Sequence, residues 1–137
     1  MIQLHGSTVA LKGQGLLILG ASGAGKSSLA LQMMAAGAEL VADDRTDLCR
    51  EGDVLIASAP QPLLGRIEAR GVGILAAVPS PPVPLVLVCD LGRREDQRLP
   101  PRRVAEWLDV TVPLVLGPYR PHLYAALRQM MMAGRLD

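Results

Sequence analysis

The stretch Gly15-Leu-Leu-Ile-Leu19, continued by Gly20-Ala-Ser-Gly-Ala-Gly25-Lys26-Ser27, decides the fold of this 137-residue chain. The apolar run before the glycines is typical of a short strand buried on both faces. Ser27–Ala36 predicts a helix, because it has good helix formers, no β-branched residue, and Gly37 where a C-cap is expected. These residues therefore predict a strand, a glycine-rich turn and a helix in direct succession.

The turn fits the pattern G-x-x-x-x-G-K-[ST], the P-loop. Its glycines allow successive backbone N–H groups to turn towards an anion, and the helix N-terminus adds its dipole to the same place. Lys26 could reach the β- and γ-phosphates, and the Ser27 hydroxyl could ligate Mg²⁺. We therefore expect a binding site for nucleotide phosphates composed of Gly20, Ala21, Ser22, Gly23, Ala24, Gly25, Lys26, Ser27 and Ser28.

Phosphoryl chemistry also needs acidic groups, and the sequence offers two places for them. Asp90 follows the apolar run Leu85–Cys89, which is typical of a Walker B strand, and Asp43-Asp44 follows the strand-like Glu39–Ala42. Both could lie at the carboxyl edge of an open α/β sheet. Pattern alone slightly favours Asp90. The doublet could be a solvated turn. Alternatively, two adjacent carboxylates repel each other, which raises the pKa of one of them and suits that group to proton transfer.

The rest of the chain favours an α/β domain with one sheet, because strands and helices alternate at both ends around a β-rich middle. The patterns predict strands at Thr8–Leu11, Leu85–Cys89 and Val112–Leu116, a hairpin from Asp47–Arg50 and Val54–Ser58, loops at Gly65–Gly73 and Arg93–Arg103, an extended connection at Pro79–Pro84 and a last helix at Pro121–Arg135.

Composition limits the functional classes. Half of the residues are apolar, which excludes wholesale disorder, and the net charge of +1 gives no reason to expect nucleic acid or an acidic membrane as partner. The chain begins without a basic and apolar signal sequence and has no apolar run long enough to span a membrane, so we expect a cytoplasmic protein. Cys49 and Cys89 are expected to be reduced, mostly buried thiols.

Four further motifs accompany the P-loop along the chain: His5-Gly6, Leu40-Val-Ala-Asp-Asp-Arg45, Ile67-Glu-Ala-Arg-Gly-Val-Gly-Ile74 and Pro118-Tyr-Arg-Pro121. In order and spacing, these motifs resemble the catalytic domain of HPr kinase/phosphorylase, whose substrate HPr is the phosphocarrier protein of the sugar phosphotransferase system. The resemblance spans nearly the whole chain, and the motifs at Leu40–Arg45 and Ile67–Ile74 are more specific than the P-loop.

The resemblance implies a fold and a role for each matching position. The fold is an α/β P-loop kinase of the HPr kinase and PEP carboxykinase-like type, with a mixed central sheet, a P-loop helix and a C-terminal helix in one domain, residues 1–137. Lys26 and the P-loop would hold ATP. The resemblance implies that Ser27 and Glu68 are Mg²⁺ ligands, that Asp44 is the general base for the seryl hydroxyl of HPr and that His5 lies near the transferred phosphoryl group. Arg98 is a weaker match to a catalytic arginine, and Asp90 becomes a strand-end residue whose metal role stays open. The division of roles between the two aspartates also stays open; in one division Asp43 binds Mg²⁺ through water while Asp44 acts as base.

The function implied is that of an Mg²⁺- and ATP-dependent serine kinase acting on HPr, with phosphorolysis of the product left open. Two alternatives remain: another P-loop NTPase or small-molecule kinase, and a non-catalytic nucleotide-sensing regulator. Compared with the family, we expect a chain without the N-terminal domain and with Pro79–Pro84 in place of a longer segment, and such a compact form resembles those of alphaproteobacteria. The resemblance also implies a homo-oligomer, a hexamer in the family, and Met132 or its neighbours would touch HPr or another subunit.

Overall fold

The computed structural model describes residues 1–137 and contains eleven strands, two α-helices and one short 3-10 turn at Gln61–Leu63. In chain order the elements are β1 (Ile2–Leu4), β2 (Gly6–Leu11), β3 (Gln14–Leu19), α1 (Lys26–Ala35), β4 (Glu39–Ala42), β5 (Thr46–Glu51), β6 (Val54–Ser58), β7 (Arg66–Ala69), β8 (Gly73–Ala76), β9 (Val83–Arg94), β10 (Arg103–Trp107), β11 (Val110–Gly117) and α2 (Leu123–Ala133).

The central sheet is mixed and has nine strands, in the order β1-β5-β6-β9-β3-β2-β4, with β11 pairing with β9 and β10 with β11. The long strand β9 organises it: β9 runs parallel to β3 and β11, and its first residues pair antiparallel with β6. Strands covered on both faces need apolar residues throughout, which explains the run Leu85–Cys89. The predicted α/β fold with a mixed central sheet and two helices is confirmed.

Alternate residues of β3 face two different cores. Leu16 and Ile18 belong to the cluster beneath α1 and α2, whereas Leu17 faces a second cluster on the opposite side of the sheet. That second cluster includes Leu48 of β5 and Leu55 of β6, so a hairpin rather than a helix covers it. The sheet therefore curls around its own second core, and the helices cover only one face.

Both predicted helices are present with slightly different ends. Helix α1 begins at Lys26, one residue before the prediction, and Gly37 follows it with a φ of 109°. Helix α2 begins at Leu123 rather than Pro121, because His122 is its N-cap residue. Met132, predicted to meet a partner, is 40% exposed near the end of α2.

The prediction of a loop at Gly65–Gly73 is wrong. Residues 66–76 form an antiparallel hairpin, β7–β8, that stands apart from the central sheet. Ile67 and Ala69 are buried, while Arg66 and Glu68 are exposed. Only two apolar residues alternate with the charged ones, which is too short a pattern to indicate a strand. Ile67 packs into the hydrophobic cluster beneath α1 and α2, and this burial stabilises the hairpin.

The charged region after Leu85–Cys89 also differs from the prediction. Strand β9 continues to Arg94, so Asp90 lies within the strand and not at its end, and the connecting loop is reduced to residues 95–102. Strand β10, like β1, carries no pattern that predicted it; pairing with β11 stabilises it. An ion pair between Arg103 Nε and Glu95 Oε1, 2.8 Å apart, closes the loop and lowers the pKa of Glu95.

Both cysteines are free thiols, as expected. Cys89 is buried, and Cys49 is only partly buried. Burial, reinforced by the neighbouring Asp90, raises the pKa of the Cys89 thiol to about 12, so that thiol is neutral and unreactive at physiological pH. Neither of the two helices has the length and apolar character needed to cross a membrane.

Candidate active site

The glycine-rich turn between β3 and α1 forms a loop that the N-terminus of α1 closes. Gly23 and Gly25 have φ angles of 86° and 110°, which an L-residue with a side chain rarely adopts. Lys26 is buried, and its Nζ donates to the carbonyl oxygens of Gly20 and Ala21 at 2.8 and 3.2 Å. The loop therefore carries one buried positive charge and the positive end of a helix dipole, the combination that binds phosphate groups.

The loop rests on the segment that precedes α2. A Cβ atom on Gly25 would lie 2.9 Å from Cγ of the Tyr119 ring, closer than real Cβ atoms approach. The Tyr119 hydroxyl accepts a 2.8 Å hydrogen bond from Nε2 of Gln32 on α1, which holds the ring in place. Glycine at position 25 is therefore required both by its φ angle and by this contact.

Asp43 is a buried junction between three parts of the chain. Its Oδ1 accepts hydrogen bonds from the hydroxyls of Ser7 at 2.9 Å and Ser27 at 3.0 Å. Its Oδ2 accepts the backbone N–H of Glu68 at 2.9 Å. One carboxylate thus connects β2, the first turn of α1 and the β7–β8 hairpin, and it brings two hard oxygen atoms, Asp43 Oδ1 and Ser27 Oγ, to one point.

Asp44 turns away from Asp43 and faces solvent. Its backbone has a φ of 68°, and its N–H donates to the Ser7 hydroxyl at 3.0 Å. Oδ1 of Asp44 is hydrogen-bonded to Nε2 of His5 at 2.6 Å, and both side chains are about half exposed. Because the backbone at Asp44 is left-handed, the two adjacent carboxylates point in different directions, that of Asp43 towards Ser27 and that of Asp44 towards His5. Asp44 is therefore an accessible carboxylate oriented by a histidine.

These groups border one cavity of about 450 Å³. Of the predicted site residues, it brings together His5, Ser22, Gly23, Gly25, Lys26, Ser27, Ser28, Asp43, Asp44 and Glu68. Gly20, Ala21 and Ala24 belong to the loop but do not line the cavity. Arg98 and Asp90 do not line it either, and Arg98 is exposed in the loop between β9 and β10.

Two arginines that received no role from the sequence also line this cavity, Arg45 and Arg70. A guanidinium nitrogen of Arg70 lies 3.9 Å from the position of a Cβ built on Gly23, so its positive charge stands beside the glycine-rich loop. The sequence contained a signal for both: Arg45 follows the aspartate doublet, and Arg70 stands two residues after Glu68. Both arginines are far from the P-loop along the chain, so the sequence did not indicate that they line the same cavity as the loop.

The donor set fits Mg²⁺ bound together with a nucleotide. Mg²⁺ usually keeps several waters and binds one or two protein oxygens besides the phosphates. Ser27 Oγ and Asp43 Oδ1 lie 3.0 Å apart, and Glu68 lines the same cavity. No cluster of three or more His, Cys, Asp or Glu side chains is arranged as a metal site. The arrangement thus suits a metal that needs phosphate oxygens to complete its coordination.

The fold and the site define a P-loop-type kinase domain. The solved structure of the HPr(Ser) kinase/phosphatase from Coxiella burnetii is similar to this chain with a TM-score of 0.82 and 28% sequence identity, covering 96% of this chain and 95% of that one. The family model described as the HPr serine kinase C-terminal domain matches residues 1–79, more than half of the chain. The chain belongs to this family.

Proteins named HPr kinase/phosphorylase are among its relatives. The one from Caldanaerobacter subterraneus is 38% identical over 133 residues, which covers 88% of this chain and 44% of the relative. The one from Clostridium botulinum is 42% identical over 73 residues, covering 53% of this chain and 24% of the relative. The matches thus span 24% to 44% of the length of these two curated relatives.

Proposed function

We propose that this chain is an Mg²⁺- and ATP-dependent serine kinase domain that phosphorylates HPr, and that the same site removes the phosphate again by phosphorolysis. The observation that carries the proposal is the pair His5–Asp44 at the border of the cavity that holds the phosphate loop. A nucleotide-sensing regulator has no need of an accessible, oriented carboxylate opposite its phosphate loop. A protein kinase needs one to receive the proton of the acceptor hydroxyl.

The loop and α1 would hold the nucleotide. The backbone N–H groups of the glycine-rich turn and the first turn of α1 would bind the phosphates, and Lys26 would exchange its bonds to the loop carbonyls for phosphate oxygens. Ser27, Asp43 and Glu68 would hold Mg²⁺, which supplies positive charge to the phosphates. Arg70, rather than Arg98, would add charge at the γ-phosphate, because Arg70 stands beside Gly23.

Asp44 would be the general base. Its carboxylate would accept the proton of the seryl hydroxyl as the serine oxygen attacks the γ-phosphorus and the bond to ADP breaks. His5 would orient that carboxylate through their 2.6 Å hydrogen bond. In phosphorolysis, an oxygen of inorganic phosphate attacks the phosphorus of phosphoserine and the bond to the serine oxygen breaks. Protonated Asp44 would give its proton to the departing serine oxygen and regain one from the attacking phosphate, and pyrophosphate is the other product. Asp43, which faces Ser27, would serve the metal instead.

The test is the intact mass of HPr from the same organism after incubation with this protein and Mg-ATP. We expect one added phosphate on a serine, a loss of transfer in Asp44→Asn by about 10²–10⁴-fold, and normal transfer in the matched control Asp47→Asn, whose carboxylate bonds Gln3 and does not line the cavity. ATP hydrolysis without transfer would indicate another NTPase or small-molecule kinase. Tight ATP binding without turnover would indicate a regulator.

A further inference from the structure

We propose that the β7–β8 hairpin is the docking surface for the protein substrate and that it binds apolar side chains next to the acceptor serine. This inference rests on the proposed kinase function and deepens it. The hairpin surface is defined here by the exposed residues Leu64, Val72, Ile74 and Val78. Leu75 is opposite the buried Ile67 and therefore points to the other face of the hairpin.

Exposed apolar residues are concentrated in this one region. Five of the eleven large hydrophobic residues that are exposed lie between positions 64 and 78, and Val72, Ile74 and Val78 are 75%, 64% and 68% exposed. All four residues of β8 are exposed. A hydrogen bond from the N–H of Ala77 to the carbonyl of Gly65 brings the two ends of the hairpin together. Clusters of this kind on soluble proteins mark binding surfaces.

The register of the hairpin connects this surface to the reacting groups. Ile74 is directly opposite Glu68, so both side chains point to the same face of the hairpin, with Cβ atoms about 5 Å apart. Ile74 and Leu63 line a second cavity of about 290 Å³, and the other residues that line it are charged: Asp43, Asp44, Glu68, Arg45 and Arg66. Two apolar side chains therefore stand beside the carboxylates that the mechanism uses, and Ile74 continues into the exposed apolar residues of the hairpin.

The second cavity adjoins the first one at the candidate base and is separate from the glycine-rich loop. No residue of that loop lines it, whereas Asp43, Asp44, Arg45 and Glu68 border both cavities. In phosphoryl transfer the attacking and leaving oxygens are roughly in line, so the acceptor approaches from the side opposite to the nucleotide. A small-molecule acceptor would not extend from Asp44 across Ile74 to Val72 and Val78. A protein with apolar side chains flanking its serine would contact all of them.

Substitution of Ile74 tests the proposal without adding charge near Glu68. We expect Ile74→Asn to raise the KM for HPr at least about fivefold, with the Kd for Mg-ATP unchanged and with Ile74→Leu restoring the KM. The matched control is Val54→Asn, which changes an exposed valine of β6 that lines neither cavity, and it should leave the KM unaltered.

Each other outcome overturns a distinct statement. An unchanged KM for HPr in Ile74→Asn, with transfer intact, overturns the docking surface alone. A lower mass of the protein in sedimentation experiments, seen for Ile74→Asn and not for Val54→Asn, would show that the surface makes contacts between copies of this chain. That result also overturns the docking surface. Absence of any transfer to HPr by the unmodified protein overturns the proposed function, and the partner proposed for this surface with it.

Discussion

Replacing His5 by alanine removes one hydrogen bond at the candidate base and nothing from the phosphate loop. The contact joins His5 Nε2 to Asp44 Oδ1 at 2.6 Å, and the two side chains are 50% and 56% exposed. A hydrogen bond to a charged group contributes about 1.5–3 kcal/mol when water is excluded. Half exposure lets water compete, which reduces the expected contribution to about 1 kcal/mol.

A loss of about 1 kcal/mol in transition-state stabilisation lowers the rate about fivefold. We therefore expect His5→Ala to lower kcat for HPr phosphorylation about fivefold with the KM for ATP unchanged, because His5 orients the base and does not itself take the proton. Asp44→Asn removes the base, and its effect should be about 10²–10⁴-fold. His5→Gln, which retains a side-chain N–H donor, should recover part of the loss.

Steady-state kinetics with purified HPr separate these effects. Gln3→Ala is the matched control, because it removes a neighbouring 2.9 Å hydrogen bond, to Asp47, that does not touch the cavity. A fall in kcat for His5→Ala as large as that for Asp44→Asn would refute the reasoning, since His5 would then take part in proton transfer itself. An unchanged kcat would refute it as well, since the contact would not orient the base.

Two further predictions concern the loop and the distant ion pair. Gly25→Ala should lower nucleotide affinity at least about tenfold, because the added Cβ would collide with the ring of Tyr119. The control is Gly37→Ala, which has a φ of 109° and no neighbour within 4 Å and should lower only the free energy of unfolding, by about 1–2 kcal/mol. Equal nucleotide affinities of the two variants in calorimetry would contradict this prediction. Because Arg103 lowers the pKa of Glu95, their ion pair stabilises the fold above the ordinary glutamate pKa of 4.5, and this stabilisation is lost as the pH falls through the lowered pKa. Arg103→Met should therefore lower Tm near neutral pH, and its Tm should approach that of the unmodified protein in acid. A difference in Tm that does not change with pH would contradict the assignment.

The parts of the fold that local sequence determines were predictable. Gly15–Leu19 and the helix after it follow from short-range features: an apolar run, helix-forming residues and a glycine after the last turn. Strand β4 and the β5–β6 hairpin were predictable for the same reason. Strands β1 and β10 were not, because their residues carry no apolar pattern of their own and their pairing partners lie elsewhere in the chain.

The candidate site shows the same division. Sequence by itself determined that a glycine-rich loop with Lys26 and Ser27 stands between a strand and a helix, since all of these groups lie within a few residues of one another. Tertiary structure alone decided that Asp43 faces Ser27 while Asp44 faces His5, and that Arg70 rather than Arg98 stands beside the loop. The physical reason is that the roles of side chains depend on hydrogen bonds between residues far apart in sequence. His5 and Asp44 are separated by 39 positions, and only the pairing of the strands around them brings a histidine to that carboxylate.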